Sequence, residues 1–317
     1  MTAIEWTHPP GFRGESWNPF VGCSIVSKGC TNCYAMKMAS RIIAMQGEAS
    51  HYAETVKTVK GKPVWTGAIR EASEKVWTAP LRAREPRCYF VNSMGDVFHE
   101  DVPDAWIDRL FAVAALSPKH RFLILTKRPE RMREYINGIQ MDVPALGRMP
   151  LERVHMKAAS HIEGDGGFMD VLKARGNVYS LYLDTPWPLP NVWLGVSVED
   201  QASADERIPH LLATPAAIRF ISAEPLLEPI WPWYLGISKA AGPAANNAGI
   251  DWVIVGGESG PGARVWPGFE DACRSLRDQC AAAQVPFFMK QMAGAKKSAM
   301  PPIPNDLAIR QWPEQSQ

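Results

Sequence analysis

The stretch Val192-Trp193-Leu194-Gly195-Val196-Ser197-Val198-Glu199-Asp200 decides the fold. Its first five residues offer no polar side to solvent, the mark of a strand buried on both faces of a parallel sheet. It then stops in Ser197, Glu199 and Asp200. Five other runs repeat that pattern. Tyr89-Phe90-Val91 closes on Asn92, Ser93 and Asp96, and Phe122-Leu123-Ile124-Leu125 on Thr126, Lys127 and Arg128. Ile218-Arg219-Phe220-Ile221 closes on Ser222 and Glu224, Trp252-Val253-Ile254-Val255 on Glu258 and Ser259, and Pro286-Phe287-Phe288-Met289 on Lys290 and Gln291. Apolar residues at helical spacing lie between several runs, as at Trp106, Leu110, Phe111 and Val113, or Phe269, Ala272, Cys273, Leu276 and Cys280. Strands alternating with helices predict an α/β fold, a partial or full parallel (β/α) barrel whose polar strand ends share one rim. A doubly wound open sheet is the alternative, since it also gathers polar residues at its strand ends.

With 46% hydrophobic and 21% charged residues in 317, the chain has the composition of a cored protein rather than a disordered one. Lys plus Arg is 34 against 33 for Asp plus Glu, so a polyanion has to be held by a local patch rather than by a global field. The first 20 residues lack the apolar core of a secretory signal, and runs such as Leu110 to Leu116 are too short to span a bilayer. The expectation is a cytoplasmic protein with no membrane partner. Residues 1–300 read as one domain, with insertions near 51–87 and 139–190, followed by a polar tail at 301–317. The first insertion carries Lys57, Lys60, Lys62, Trp65 and Trp77 and reads as a hairpin or a docking surface. The second includes Gly164-Asp165-Gly166-Gly167 and reads as a cover over the rim.

Six cysteines are too few for a disulfide framework, but three of them, Cys23, Cys30 and Cys33, crowd one loop. Ala35, Met38, Ala39, Ile42 and Ile43 then mark a helix face, so the thiols sit just before a helix N-terminus, where the dipole favours thiolates. Soft thiolates select zinc, copper(I) or an iron–sulfur cluster. A closed zinc site needs a fourth ligand, and no second cysteine pair supplies one; His8 is available without any spacing to recommend it. Three cysteines on a cubane leave one iron open, which points to catalysis rather than electron transfer. Bare buried thiols remain the plain alternative. Cys88, Cys273 and Cys280 fall on apolar faces and read as packing.

The loop with Tyr34-Ala35 after it resembles the radical S-adenosylmethionine (SAM) superfamily. The strings Trp17-Asn18-Pro19, Gly22-Cys23, Gly29-Cys30 and Cys33-Tyr34-Ala35 resemble its phage Gp37/Gp68 branch more closely. So do Val91 to His99, Leu125 to Pro129, Leu194 to Asp200, Ile221 to Leu226 and Val255 to Gly260. The resemblance implies a radical SAM barrel in which Cys23, Cys30 and Cys33 hold a [4Fe-4S] cluster and the open iron chelates SAM. It implies an enzyme that cleaves SAM reductively, taking its electron from flavodoxin or ferredoxin, and uses the 5′-deoxyadenosyl radical on its substrate. Phage kinship implies a hypermodified thymine base in DNA, for example an isomerase converting N-linked to C-linked glycinyl thymidine. Two features depart from the superfamily: the first cysteine gap is six residues, and a Gly-Glu element is replaced by Gly95-Asp96.

On that resemblance the strand ends become cofactor ligands. Ser93 or Asp96 suits the SAM amino group and Lys127 or Arg128 its carboxylate, although Arg128 also suits a cap on the following helix. Ser197 and Glu199 match the ribose position, or form a strand-end turn before an acidic helix start. Gly256 and Gly257 allow close approach of adenine or substrate backbone rather than a phosphate cradle. Glu224 and Glu258 either position a polar substrate or pair with Lys290, itself a candidate substrate ligand. His99 is a candidate proton donor or acceptor, or plain hydrogen-bonded structure. The rival function is a zinc-stabilised nucleic-acid-binding module without catalysis; a third reading is a cluster that only senses redox state.

Overall fold

The computed structural model describes residues 4–47, 50–141, 186–231, 249–296 and 300–313. In chain order the elements are β1 (Arg13–Ser16), β2 (Phe20–Val21), α1 (Tyr34–Gln46), β3 (Val56–Val59), β4 (Lys62–Trp65) and β5 (Arg70–Glu71). Then come α2 (Glu74–Trp77), α3 (Ala79–Arg82), β6 (Arg87–Val91), α4 (Asp104–Ala115), β7 (Arg121–Thr126) and α5 (Pro129–Met141). The last are β8 (Val192–Ser197), α6 (Gln201–Leu212), β9 (Ile218–Ala223), β10 (Trp252–Gly256), α7 (Phe269–Ala282) and β11 (Phe287–Gln291).

Seven strands form one all-parallel sheet in the order β1-β6-β7-β8-β9-β10-β11. From β6 onward each strand pairs with the next in sequence, without the reversal of order that defines a doubly wound sheet, so the open-sheet alternative falls. The sheet curls into a half-barrel, with β1 and β11 as its edges. All six apolar runs are strands within it, and β8, β9 and β10 are buried along their whole length.

Strand alternation divides the core into two layers. Tyr89, Val91, Phe122, Ile124, Leu194, Val196, Ile221 and Val253 face outward against α4 to α7. Phe90, Leu123, Trp193, Phe220, Trp252, Ile254 and Phe288 face inward and close on Trp6 from the N-terminal turn. These rings contact edge to face, Trp6 on Phe90 at 4.8 Å between centroids and Trp193 on Trp252 at 6.0 Å. A buried ring of this size stabilises by about 2 kcal/mol or more, so the lower half of the concave face is a dry aromatic plug. Gly195 belongs to it: a Cβ there would lie 2.5 Å from the Phe220 ring.

Beyond the plug the same inward row continues as Lys127, Ser197, Glu199, Ser222, Glu224, Gly256, Glu258 and Lys290, because residues two apart share a face. Sequence periodicity therefore sets a polar floor on an apolar base.

The 51–87 insertion contains the β3–β4 hairpin, β5 paired with β2, and the short helices α2 and α3. Trp65 and Trp77 are buried. Of the 139–190 stretch, residues 142–185 lie outside the described part, including the glycine cluster at 164–167. Its end, Trp187 to Leu189, packs over α4, with Trp187 against Phe111 at 5.9 Å. Residues 300–313 run along the edge strand: Met289 and Gln311 hydrogen-bond to the backbone of Ile309 and Phe287, and the Trp312 indole donates to Trp6 O at 2.9 Å. Among the described residues no helix is long and apolar enough to cross a membrane.

Candidate functional site

The segment between β2 and α1 carries Cys23, Cys30 and Cys33 across the C-terminal ends of the sheet and is bonded to four strands. At β6, Gly22 N donates to Met94 O at 3.0 Å and the Tyr34 hydroxyl to Ser93 O at 2.9 Å. At β7, Arg128 Nη1 reaches Cys23 Sγ at 3.7 Å and Nη2 donates to Ser24 Oγ at 2.5 Å. At β8, Ser27 Oγ donates to Glu199 Oε1 at 2.8 Å. At β10, Asn32 Nδ2 donates to Glu258 Oε2 at 3.1 Å and to Gly262 O at 2.8 Å. The thiols predicted from spacing thus stand at the rim predicted from the strands.

Cys33 is the N-cap residue of α1, and all six cysteines are free. Burial pushes the Cys23 thiol up to about 12, Asp96 adding to it and Arg128 opposing. Burial also raises Cys33, against hydrogen bonds from the backbone at Ala35 and Met36 at the start of the helix. Cys30 goes the other way: burial opposes ionisation, but the Lys127 ammonium and hydrogen bonds at Val26 and Ser27 outweigh it, and the thiol is lowered. Of the three thiols in the loop, Cys30 is thus lowered and Cys23 and Cys33 are raised.

The rim carboxylates are already committed. Asp96 Oδ1 accepts from Phe98 N at 3.0 Å and Thr126 Oγ1 at 2.6 Å; Oδ2 accepts from Lys127 N at 3.0 Å and Arg128 Nη1 at 3.1 Å. Four donors use the lone pairs a carboxylate has, so Asp96 straps β6 to β7 and has none left for an ammonium. Glu199, fully buried, accepts from Lys127, from Ser27 and from Arg207 Nη1 at 3.0 Å. Asp200 caps α6 reciprocally with Ser203, accepting from its N–H at 2.9 Å. Burial pulls the Lys127 ammonium down to about 8, while the nearby Cys30 thiolate opposes the shift.

Arg128 takes the N-cap position of α5, its carbonyl accepting from Met132 N at 3.2 Å, while its guanidinium spans Asp96, Glu100 and Ser24. His99 is buried, and its Nδ1 accepts from Asp101 N at 3.1 Å, which leaves the proton on Nε2 to face Ser24 Oγ at 3.0 Å. Glu224 pairs with Lys290 and lies 3.5 Å from Gln291 Nε2, whereas Glu258 pairs with Arg264 at 2.5 Å rather than with Lys290. Ser93 Oγ donates to Asn18 Oδ1 at 3.1 Å. A Cβ on Gly257 would lie 2.3 Å from Ala293 N, so the protein's own chain after β11 occupies the close approach expected for a ligand; Gly256 faces Glu224 instead. His8 Nδ1 lies 3.1 Å from Ile4 O, at the N-terminal end of the sheet and away from the thiols.

Ser24, Ser27, Asn32, Arg207 and Arg264 are site residues that sequence reading missed. Three of them lie between the cysteines, where polar residues that bond away from their own loop are the available signal.

Among the described residues, no three or more His, Cys, Asp or Glu side chains are gathered closely enough to hold a metal ion as they stand. The donor set is three thiols with Lys127 and Arg128 beside them, which offset the charge that three thiolates accumulate.

Fold and site together define an α/β protein of the parallel half-barrel class with a three-thiol loop fastened across its strand ends. The chain belongs to the family described as Protein of unknown function (DUF5131), which matches residues 1–315. No curated protein and no solved structure matches it.

Proposed function

We propose that this protein is a radical SAM enzyme in which Cys23, Cys30 and Cys33 hold a [4Fe-4S] cluster with one open iron for SAM. One observation carries the reading: the three-thiol loop is bonded to the ends of β6, β7, β8 and β10, over a polar floor and an aromatic plug. Thiolates alone suit a soft metal centre. A single tetrahedral ion with metal–sulfur bonds near 2.3 Å needs sulfurs within roughly 4 Å of each other. A cubane takes each thiolate on a separate iron and so accepts a looser trio. His8, the fourth zinc ligand that the sequence offered, is at the other end of the sheet.

When bound and reduced, the cluster would supply an electron to the SAM sulfonium, and the resulting 5′-deoxyadenosyl radical would remove hydrogen from the substrate. The chain's own residues do the rest. Lys127 and Arg128 supply positive charge beside Cys30 and Cys23. The aromatic plug keeps water from entering through the floor. Glu224 and Lys290 pair with each other rather than with the loop, and Lys290 Nζ, an ammonium with further N–H donors, suits a carboxylate of SAM or substrate. A modified thymine in phage DNA, isomerised at an unactivated C–H bond, is the substrate this reading favours. Flavodoxin or ferredoxin supplies the electron, in a cytoplasm that keeps thiols reduced.

The test is anaerobic reconstitution followed by SAM and dithionite. The reading predicts a brown protein with about four irons per chain that releases 5′-deoxyadenosine, with both properties lost in Cys30→Ala. A colourless preparation with one zinc overturns it, and iron without SAM cleavage reduces the cluster to a sensor.

A further inference from the structure

Directly after α1 the chain forms a two-stranded ribbon that the proposed chemistry leaves unused. β3 and β4 pair antiparallel with Lys57 opposite Val64 and Val59 opposite Lys62, so these four side chains share one face. Trp65 is on the other face, buried against α1, with its N–H on Met36 Sδ at 3.3 Å. Lys60 and Gly61 form the turn, both at positive φ (48° and 74°), the two-residue geometry that matches ribbon twist.

Residues 56–65 hold three lysines and no acid, in a chain whose formal charge is only +1. Lys57, Lys60 and Lys62 are exposed and have no partner among the described residues. The nearest acid in the chain, Glu54, is paired with Arg70. Val59 is 42% exposed between the lysines. The foot of the ribbon is fastened to the thiol loop through Gly67 N, which donates to Cys23 O at 3.2 Å.

We infer that this ribbon enters the major groove of duplex DNA and holds its phosphates, seating the polymer beside the three-thiol loop. The major groove of B-DNA, about 12 Å wide, admits a two-stranded ribbon, whereas that of A-form RNA is too narrow. The inference deepens the proposed function and rests on it only for the claim that the seated polymer is the substrate. Each lysine that neutralises one phosphate adds about 0.9 to the slope of log affinity against log salt.

Fluorescence anisotropy of the full-length protein on a labelled duplex of about 20 bp, between roughly 50 and 200 mM salt, tests it. The triple variant K57Q/K60Q/K62Q should lose about 2 to 3 from the slope and keep its iron content and thermal midpoint. Should the triple variant fold poorly, Lys60→Gln alone should lower the slope by about one. Absence of wild-type binding, an unchanged slope, or equal competition by double-stranded RNA overturns the inference. So does a variant that binds DNA as before and loses only an acidic redox protein. Failure of SAM cleavage with the slope intact overturns the proposed function and leaves the ribbon assignment standing.

Discussion

Arg128 Nη1 lies 3.7 Å from Cys23 Sγ and 3.1 Å from Asp96 Oδ2, so one guanidinium couples the first thiol of the loop to the carboxylate that straps β6 to β7. Both charged partners are nearly buried, Arg128 at 9% and Asp96 at 7% side-chain exposure. The pair is stabilised by added hydrogen bonds at each end, which a buried ion pair needs in order to offset desolvation.

Arg128→Met should therefore destabilise the fold by about 3 kcal/mol or more, since it leaves Asp96 charged and unpaired. Chemical denaturation measures this directly. Arg128→Lys should recover part of the loss, as a point charge cannot span Asp96, Glu100 and Ser24 together. Equal stability of Met and Lys variants would contradict the network.

Thiol labelling should separate the cysteines into two sets. Burial pushes Cys88, Cys273 and Cys280 up to about 12, and all three are enclosed by core side chains. Iodoacetamide on the folded, metal-free protein at neutral pH should modify Cys30, the loop thiol that Lys127 lowers, and spare these three, as read by peptide mass spectrometry. Modification of Cys273 before Cys30 would refute the packing described.

Glu258 ties pH to stability. Burial alone would raise its carboxyl, but the Arg264 hydrogen bonds, backbone and side chain, and the Asn32 amide prevail and hold it below the usual carboxylate range. The unfolded chain, with a carboxyl near pH 4.3, then binds the proton more readily, so stability is full above that value and falls as pH drops through the folded one. Glu258→Gln should flatten the fall in unfolding free energy below about pH 4.3. An identical acid limb in wild type and variant would exclude the assignment.

Gly195→Ala places a methyl 2.5 Å from where the Phe220 ring lies. Overpacking of this kind costs about 1 to 3 kcal/mol, and Phe220→Leu in the same chain should return part of it. A neutral Gly195→Ala, by thermal or urea unfolding, would mean the plug is loosely packed.

The strands that read as unbroken apolar runs are present because burial on two faces leaves no other composition for them, as in β8 and β10. β1 was illegible for the converse reason: Arg13-Gly14-Glu15-Ser16 is an edge strand held to β6 by backbone pairing and the Glu15–Arg87 ion pair, which need no apolar side chains. The cysteine loop was legible through spacing. Its fastening was not, because Ser27 meets Glu199 across 172 residues and Asn32 meets Glu258 across 226, and such contacts exist only once the barrel has curled. From sequence Asp96 reads as a ligand and Glu199 as a ligand or a strand-end turn, since nothing local shows that Arg128 and Arg207 will consume them.

The most direct measurement is iron and sulfide content, with electron paramagnetic resonance of the dithionite-reduced protein, after anaerobic reconstitution of wild type and of single Ala variants at positions 23, 30 and 33. The account predicts about four irons and four sulfides per chain, a reduced-cluster signal that changes when SAM is added, and loss of both in all three variants. Full iron loading in any of the three, or a wild-type signal indifferent to SAM, would contradict it.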